Sequence, residues 1–281
     1  MLSLGDIDIS AVVVSRFALD GGSMFGVVPR AVWAPLATPD PEGRIPLVAR
    51  ILVVSHRRAG YRALLETGLG DCWTPSKLGL FAADGAALPA ALRASGIDPS
   101  TITDVVLTHL HWDHAGGLLT NDPATGPSAL ALPGARIHVG ETQLAHAQKP
   151  SLKDRASYRP NDLEVLGAPG VRRLADRCEV LPGLFASRSD GHTEGLLVLE
   201  VRASGQRVVF PSDLAPTYLH ARAAWGMAFD NLPLRVVEEK AELMAGVARD
   251  EALIVPYHDP TIEAYRVKAK GERFETVPAT L

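Results

Sequence analysis

The string TDVVLTHLHWDHAGG, residues 103–117, constrains this chain more than any other feature. It places His109, His111, Asp113 and His114 on a turn directly after an apolar, β-branched run that reads as a strand. Side chains alternate along an extended chain, so His109 and His111 share a face, while Asp113 and His114, one step apart at the bend, address a second point nearby. Imidazole nitrogen and carboxylate oxygen suit Zn²⁺ and similar first-row metals. A lone HxH also fits a solvated patch. The full HxHxDH followed by Gly116 and Gly117 points to metal binding, with the two glycines supplying backbone freedom where strand turns into helix.

The rest of the composition limits what such a centre can serve. With 28 basic and 32 acidic residues the formal net charge is −4, which excludes a strongly basic nucleic-acid binder. Hydrophobic residues at 47% and charged ones at 21% allow a large core, and we expect residues 1–281 to form one domain with insertions. Cys72 and Cys178 have no CxxC spacing and read as reduced structural thiols. MLSLGDIDIS lacks a basic n-region, and apolar runs fall short of the roughly 20 residues that span a bilayer, so a cytoplasmic protein without a membrane partner is expected.

Along the chain, ISAVVVSRF, PLVARILVV and YRALLET read as strands, the last two joined by a hairpin across HRRAG. Between the first two, Asp20 to Arg44 is dense in glycine and proline and reads as irregular, placed to form a pocket rim. Residues 86–95 read as a helix stopped by Gly96, and Asp104 to Thr108 as a strand. Thr120 to Pro133 is turn-like, Arg136 to Val139 a strand, Glu141 to Gln148 a helix, and 150–170 an insertion loop with local helix. VLPGLFASRSDGH, GQRVVFPSD and ALIVPYHD are strands ending in polar residues, with a helix over Leu234 to Arg249 between the last two.

With these elements in place the sequence resembles the metallo-β-lactamase-fold hydrolase superfamily. SDGHTEG carries His192, FPSDLAP carries Asp213 and PYHDP carries His258, all in the family's order. The resemblance implies an α/β fold, a four-layer αββα sandwich. It implies His109, His111 and His192 for one metal, Asp113, His114 and His258 for a second, and Asp213 as the bridge. Five of the nine histidines thus fall on ligand positions. The implied cofactors are two divalent ions, Zn²⁺ by default, with Mn²⁺, Fe²⁺ and Co²⁺ accepting the same ligands. ALLETGLGD resembles the family's aspartate-threonine-glycine turn with Glu66 in place of the aspartate, a departure expected not to touch a ligand. The implied chemistry is hydrolysis of an ester or lactone by a metal-bridging hydroxide, with Asp113 also shuttling a proton to the leaving group. A flavodiiron-type protein would carry glutamate at the position of His111.

DGGSMFGVVPR and SDLAPTYLHARAAWGMAFDNLPL resemble the branch that includes acyl-homoserine lactonase-like and methyl parathion hydrolase-like enzymes. Met24, Phe25, Trp112, Trp225 and Phe229 are expected to line an apolar pocket, which favours a neutral, partly apolar ester, lactone or organophosphate; core packing is the alternative for each alone. Tyr218 or Thr217 is placed to assist an oxyanion, and His220 to sit behind the site. Tyr257 should point to the opposite face and pack. His56, His138 and His146 read as surface or structural, and Arg57-Arg58 and Arg172-Arg173 as solvated. Competing readings are a thioester hydrolase of the glyoxalase II type, disfavoured by the lack of a basic cluster for glutathione or coenzyme A; a nuclease, disfavoured by charge; and a non-hydrolytic redox or sensor protein on the same fold. Oligomeric state stays open, a homodimer built with the irregular N-terminal segment being one arrangement.

Overall fold

Strand Leu196–Ala203 reads LLVLEVRA, apolar on both faces, and its burial explains the layering. Leu197, Leu199 and Val201 pack into the core that also holds Ile137, Val139 and Leu52, whereas Leu196 and Val198 face the other way. The same split runs through Gln206–Phe210, where Val208 and Phe210 point inward and Val209 outward. The outward set is covered by Val236, Met244 and Val247 of helix Pro233–Arg249. A strand buried on both faces in this way must lie between layers.

In the computed structural model, which describes residues 1–122, 126–270 and 273–281, two seven-stranded sheets stack with helices outside them. The first runs in the order Leu2–Leu4, Ile7–Asp20, Arg44–His56, Tyr61–Leu65, Asp104–Leu107, Arg136–Gly140, Arg172–Leu174. The second runs Arg177–Leu181, Leu184–Ser189, Leu196–Ala203, Gln206–Phe210, Leu253–Ile254, Ala264–Lys270, Arg273–Ala279. Helix Leu88–Ala94 buries Leu88 and Leu92 and packs on Ile7–Asp20, and Glu141–Gln148 lies beside Arg136–Gly140. This is the αββα sandwich.

The two sheets are stitched where it matters for the centre. Leu197 N donates to Thr108 O at 2.9 Å, Arg50 N to Tyr257 O at 3.0 Å, and Val48 N to His258 O at 3.3 Å. Carboxyl ends of strands from both sheets are thereby held at one edge.

Two expectations change. Asp20 to Arg44 is not wholly irregular: Asp20 caps the short helix Gly21–Phe25 by accepting from Ser23 N at 2.7 Å, and a second short helix spans Arg30–Trp33. Within Thr120 to Pro133, Leu119–Asp122 pairs antiparallel with Gly126–Leu130 as a separate two-stranded sheet; residues 123–125 lie outside the described residues. Among the described residues no helix is long and apolar enough to cross a membrane.

Candidate metal centre

Strand Asp104–Leu107 ends just before Thr108, where the chain bends, and His111, extended at φ −64° and ψ 154°, opens the one-turn helix Trp112–Ala115. That switch turns Asp113 and His114 inward beside the first two histidines. Gly116 and Gly117 follow, but not for the conformational freedom expected of them, since neither adopts positive φ. The backbone of 67–70 lies against them: a Cβ on Gly116 would sit 2.3 Å from Leu69 O, and one on Gly117 2.2 Å from Thr67 O. Strand Leu184–Ser189 of the second sheet leads to His192, Gln206–Phe210 to Asp213 and Leu253–Ile254 to His258.

All seven side chains meet, buried, around Asp213. Its two oxygens face different partners. Oδ2 lies 3.3 Å from His192 Nε2 and 4.0 Å from His109 Nε2; Oδ1 lies 3.2 Å from His258 Nε2 and 3.3 Å from His114 Nε2. On the first side His111 Nδ1 is 3.2 Å from His192 Nε2, and on the second Asp113 Oδ2 is 3.5 Å from His258 Nε2. Donor atoms of His109, His111 and His192 lie within 4.8 Å of one another, as do those of Asp113, His114 and His258.

Such crowding has an electrostatic signature. Burial, and then the neighbouring imidazoles, push His109 and His111 well below the usual histidine range, so both are neutral. Burial also opposes charge on His114, but Asp213, Asp113 and Glu66 outweigh it and hold that ring well above its ordinary value. Burial works against ionised Asp213 as well, yet His114 and His258 keep it a carboxylate. Among the described residues, His109 Nε2, His111 Nε2, His114 Nε2 and Asp213 Oδ1 are buried without a hydrogen-bond partner. Polar atoms left unpaired inside a protein are costly, and cations that displace the proton of His114 and take the lone pairs of His109 and His111 beside the carboxylates would satisfy such a set.

Residues 70–258 match the profile of the Metallo-beta-lactamase superfamily. The chain belongs to this superfamily. It is 31% identical over 156 residues to "Probable metallo-hydrolase Rv2300c" of Mycobacterium tuberculosis and, equally, to "Probable metallo-hydrolase Mb2322c" of Mycobacterium bovis; each match takes in 49% of this chain and 45% of the relative. The match thus spans under half the length of these curated relatives. In three dimensions it is similar to a "probable metal-dependent hydrolase" from Staphylococcus aureus, with TM-score 0.88 at 23% identity over 100% of this chain and 99% of the other. It is also similar to AidC, a dizinc quorum-quenching lactonase solved with the product N-hexnoyl-L-homoserine, with TM-score 0.81 at 20% identity over 100% and 97%.

Around the centre of this superfamily member, further groups hold the rings of His114, His192 and His258. Glu66 corrects one expectation, because it does touch a candidate ligand: Oε1 is 3.1 Å from His114 Nδ1. The same carboxylate takes the Thr108 hydroxyl and lies 3.5 Å from Ser212 Oγ, and Glu66 itself sits at φ 72°, a left-handed conformation rare for glutamate. Tyr257 does more than pack: its hydroxyl donates to Asp113 O at 2.6 Å and its ring stacks on His114 at 4.2 Å. Asp230, missed in the sequence, holds His192 Nδ1 at 2.9 Å, and Val48 O holds His258 Nδ1 at 3.0 Å. Hydrogen bonds to the outer ring nitrogens leave Nε2 of His114, His192 and His258 directed inward.

Above the centre is a cavity of about 490 Å³ with His111, Asp113, His192, Asp213 and His258 in its lining. Met24, Trp112 and Phe229 line it as expected, joined by Leu80, Phe81 and Met227. Phe81 stacks on Trp112 at 4.5 Å to make one wall. Phe25 and Trp225 do not line it. Phe25 is fully buried core between His220 and Trp33, and half-buried Trp225 packs edge-on to Phe25 at 5.6 Å against that core.

The loop after Asp213 also departs from expectation. Tyr218 is not among the residues that line this cavity; it lines a different depression, with Arg222, Phe274 and Thr276. The Thr217 hydroxyl lies 2.8 Å from His220 Nδ1 and is committed there. His220 Nε2 pairs with Met24 O at 2.8 Å, tying this loop to the cavity rim without touching any of the seven central residues. Burial, then Lys240, pushes His220 down to about 3, so it acts as a neutral clamp. His138 and His146 are structural as expected, bound to Asp104 and Asp154.

Proposed function

We propose that this chain is a dinuclear metal-dependent hydrolase that cleaves a neutral, partly apolar ester or lactone. The observation that carries the proposal is the division of the Asp213 carboxylate, one oxygen toward His109 and His192 and the other toward His114 and His258. His109, His111 and His192 would hold one ion, Asp113, His114 and His258 the second, and Asp213 would touch both; Zn²⁺ suits this donor set best. Bound there, the pair would supply Lewis acidity toward the substrate carbonyl and a water acidified toward neutral pH.

The remaining work falls to the protein. Neutral His109 and His111 offer lone pairs rather than protons. Asp113, one of the carboxylates that line the cavity, would carry a proton to the departing oxygen, while Tyr257 pins its backbone. Phe81, Trp112 and Met24 exclude water from the bound acyl group and orient it. The cavity falls within the usual range for small-molecule sites, roughly 300–1,000 Å³. Arg44, the cation in its lining, is already engaged by Asp40, Glu42 and the carbonyls of Gly79 and Leu80, which disfavours thioesters of anionic carriers.

The test is acid release followed by pH-stat across lactones, carboxylic esters, thioesters and phosphotriesters, on metal-replete protein beside a chelated control. Metal-dependent turnover of a lactone or carboxylic ester is expected. Turnover confined to thioesters, or none with about two ions bound, would overturn the reading.

A further inference from the structure

Asp154 lies in the segment that follows helix Glu141–Gln148, outside every motif of the centre, yet it is 3% exposed and gathers more partners than any ligand does. Its Oδ2 accepts from Asn231 Nδ2 at 2.6 Å, from His146 Nε2 at 2.8 Å and from Tyr158 Oη at 3.2 Å, with Thr193 Oγ1 at 3.3 Å. Oδ1 accepts from Ser151 Oγ at 2.7 Å. A buried carboxylate with this many donors has no freedom to move independently of them.

Those donors converge on one half of the centre. Thr193 follows His192, and its hydroxyl pairs with Tyr158 Oη at 2.8 Å. The Tyr158 ring packs against His111 at 5.1 Å. Asn231 N donates to His192 O at 2.9 Å, and its neighbour Asp230 holds His192 Nδ1. One carboxylate thus references the backbone on both sides of His192 and the ring that backs His111. The other half is held independently, His114 by Glu66 and Tyr257 and His258 by Val48 O. Burial opposes ionisation of Asp154, but His146, Ser151 and Asn231 outweigh it and keep the carboxyl well below its usual range.

We propose that Asp154 is the positioning residue for the His111/His192 half of the centre, acting through Tyr158, Thr193 and Asn231 and not on the His114/His258 half. This rests on the dinuclear reading. Its consequence is asymmetric: loss of the Asp154 carboxylate loosens one metal site and leaves the other intact.

The experiment is titration of the metal-free full chain with Zn²⁺ against a chromophoric chelator, resolving two dissociation constants, with Co²⁺ absorption as a second readout. His111→Ala identifies the step that belongs to the His111/His192 half. In Asp154→Asn that step should weaken about 10-fold, the lower end for partners of metal ligands, with the other unchanged. Tyr158→Phe, which removes only a hydroxyl, should weaken the same step and guards against misfolding of the first variant. Equal weakening of both steps, or of neither, overturns the proposal while the dinuclear reading stands. Wild-type protein that binds fewer than two ions overturns that reading and the proposal with it.

Discussion

Glu66 Oε1 sits 3.1 Å from His114 Nδ1, while Nε2 of the same ring lies 3.3 Å from Asp213 Oδ1, so one imidazole is held between two carboxylates. Glu66 also accepts from Thr108, the residue before His109, and thereby braces both halves of the centre from beneath. In Glu66→Gln an amide nitrogen replaces one acceptor, so a donor of Thr108 or His114 faces another donor. We expect a loss of about 1–3 kcal/mol in stability of the metal-free protein. Metal affinity should fall about 10-fold. Denaturant unfolding and chelator competition check the two numbers.

His111 Nε2 is buried without a partner and Nδ1 meets His192 Nε2 at 3.2 Å, so removing the ring costs the metal-free protein its packing and one hydrogen bond while relieving one unpaired buried nitrogen. His111→Ala should therefore abolish turnover and reduce uptake from about two ions to one, while the unfolding midpoint of the metal-free chain stays near that of wild type. Elemental analysis and thermal unfolding decide this; full activity in the variant would refute the assignment.

The stacked pair Phe81 and Trp112 forms an apolar wall of the cavity above the centre. Phe81→Ala should lower kcat/KM for a long-chain acyl ester about 10-fold relative to the acetyl ester, the scale of about 1–2 kcal/mol for a lost apolar contact, without changing metal content. An equal loss on both esters would place Phe81 in folding rather than in substrate selection.

Lys240 is fully buried in helix Pro233–Arg249, its ammonium donating to Trp225 O, and burial pushes it down to about 8 from 10.5. The unfolded chain therefore binds more protons than the folded one between about pH 8 and 10.5, and the contribution of this group to stability rises with pH across that window. Measured against Lys240→Met, wild-type stability should climb by up to about 3 kcal/mol from pH 8 to 10.5. Parallel pH profiles for the two proteins would show that the lysine is not desolvated.

Much of the centre was legible because its residues lie in short strings whose spacing reflects local geometry. HxHxDH joins the segment that follows strand Asp104–Leu107 to the one-turn helix Trp112–Ala115, and that junction brings His109, His111, Asp113 and His114 to one place. The strand ends carrying His192, Asp213 and His258 were legible for the same reason, each an apolar run stopped by a polar residue. The glycines after the motif were located correctly, but their reason was contact with the 67–70 backbone, which no local pattern contains.

Sequence by itself determined the chemistry of the donor set and the order of the elements, since each is written in residue type and period. Tertiary structure decided which groups stand behind the donors and which side chains face the cavity. Asp230 meets His192 across 38 residues, Glu66 meets His114 across 48 through the pairing of strands Tyr61–Leu65 and Asp104–Leu107, and Val48 meets His258 across 210 where the two sheets stack. Tyr218 and Phe25 lie outside the cavity lining for the same physical reason: the direction of a loop side chain follows the path of the backbone around it, and that path is set by packing between segments far apart in sequence.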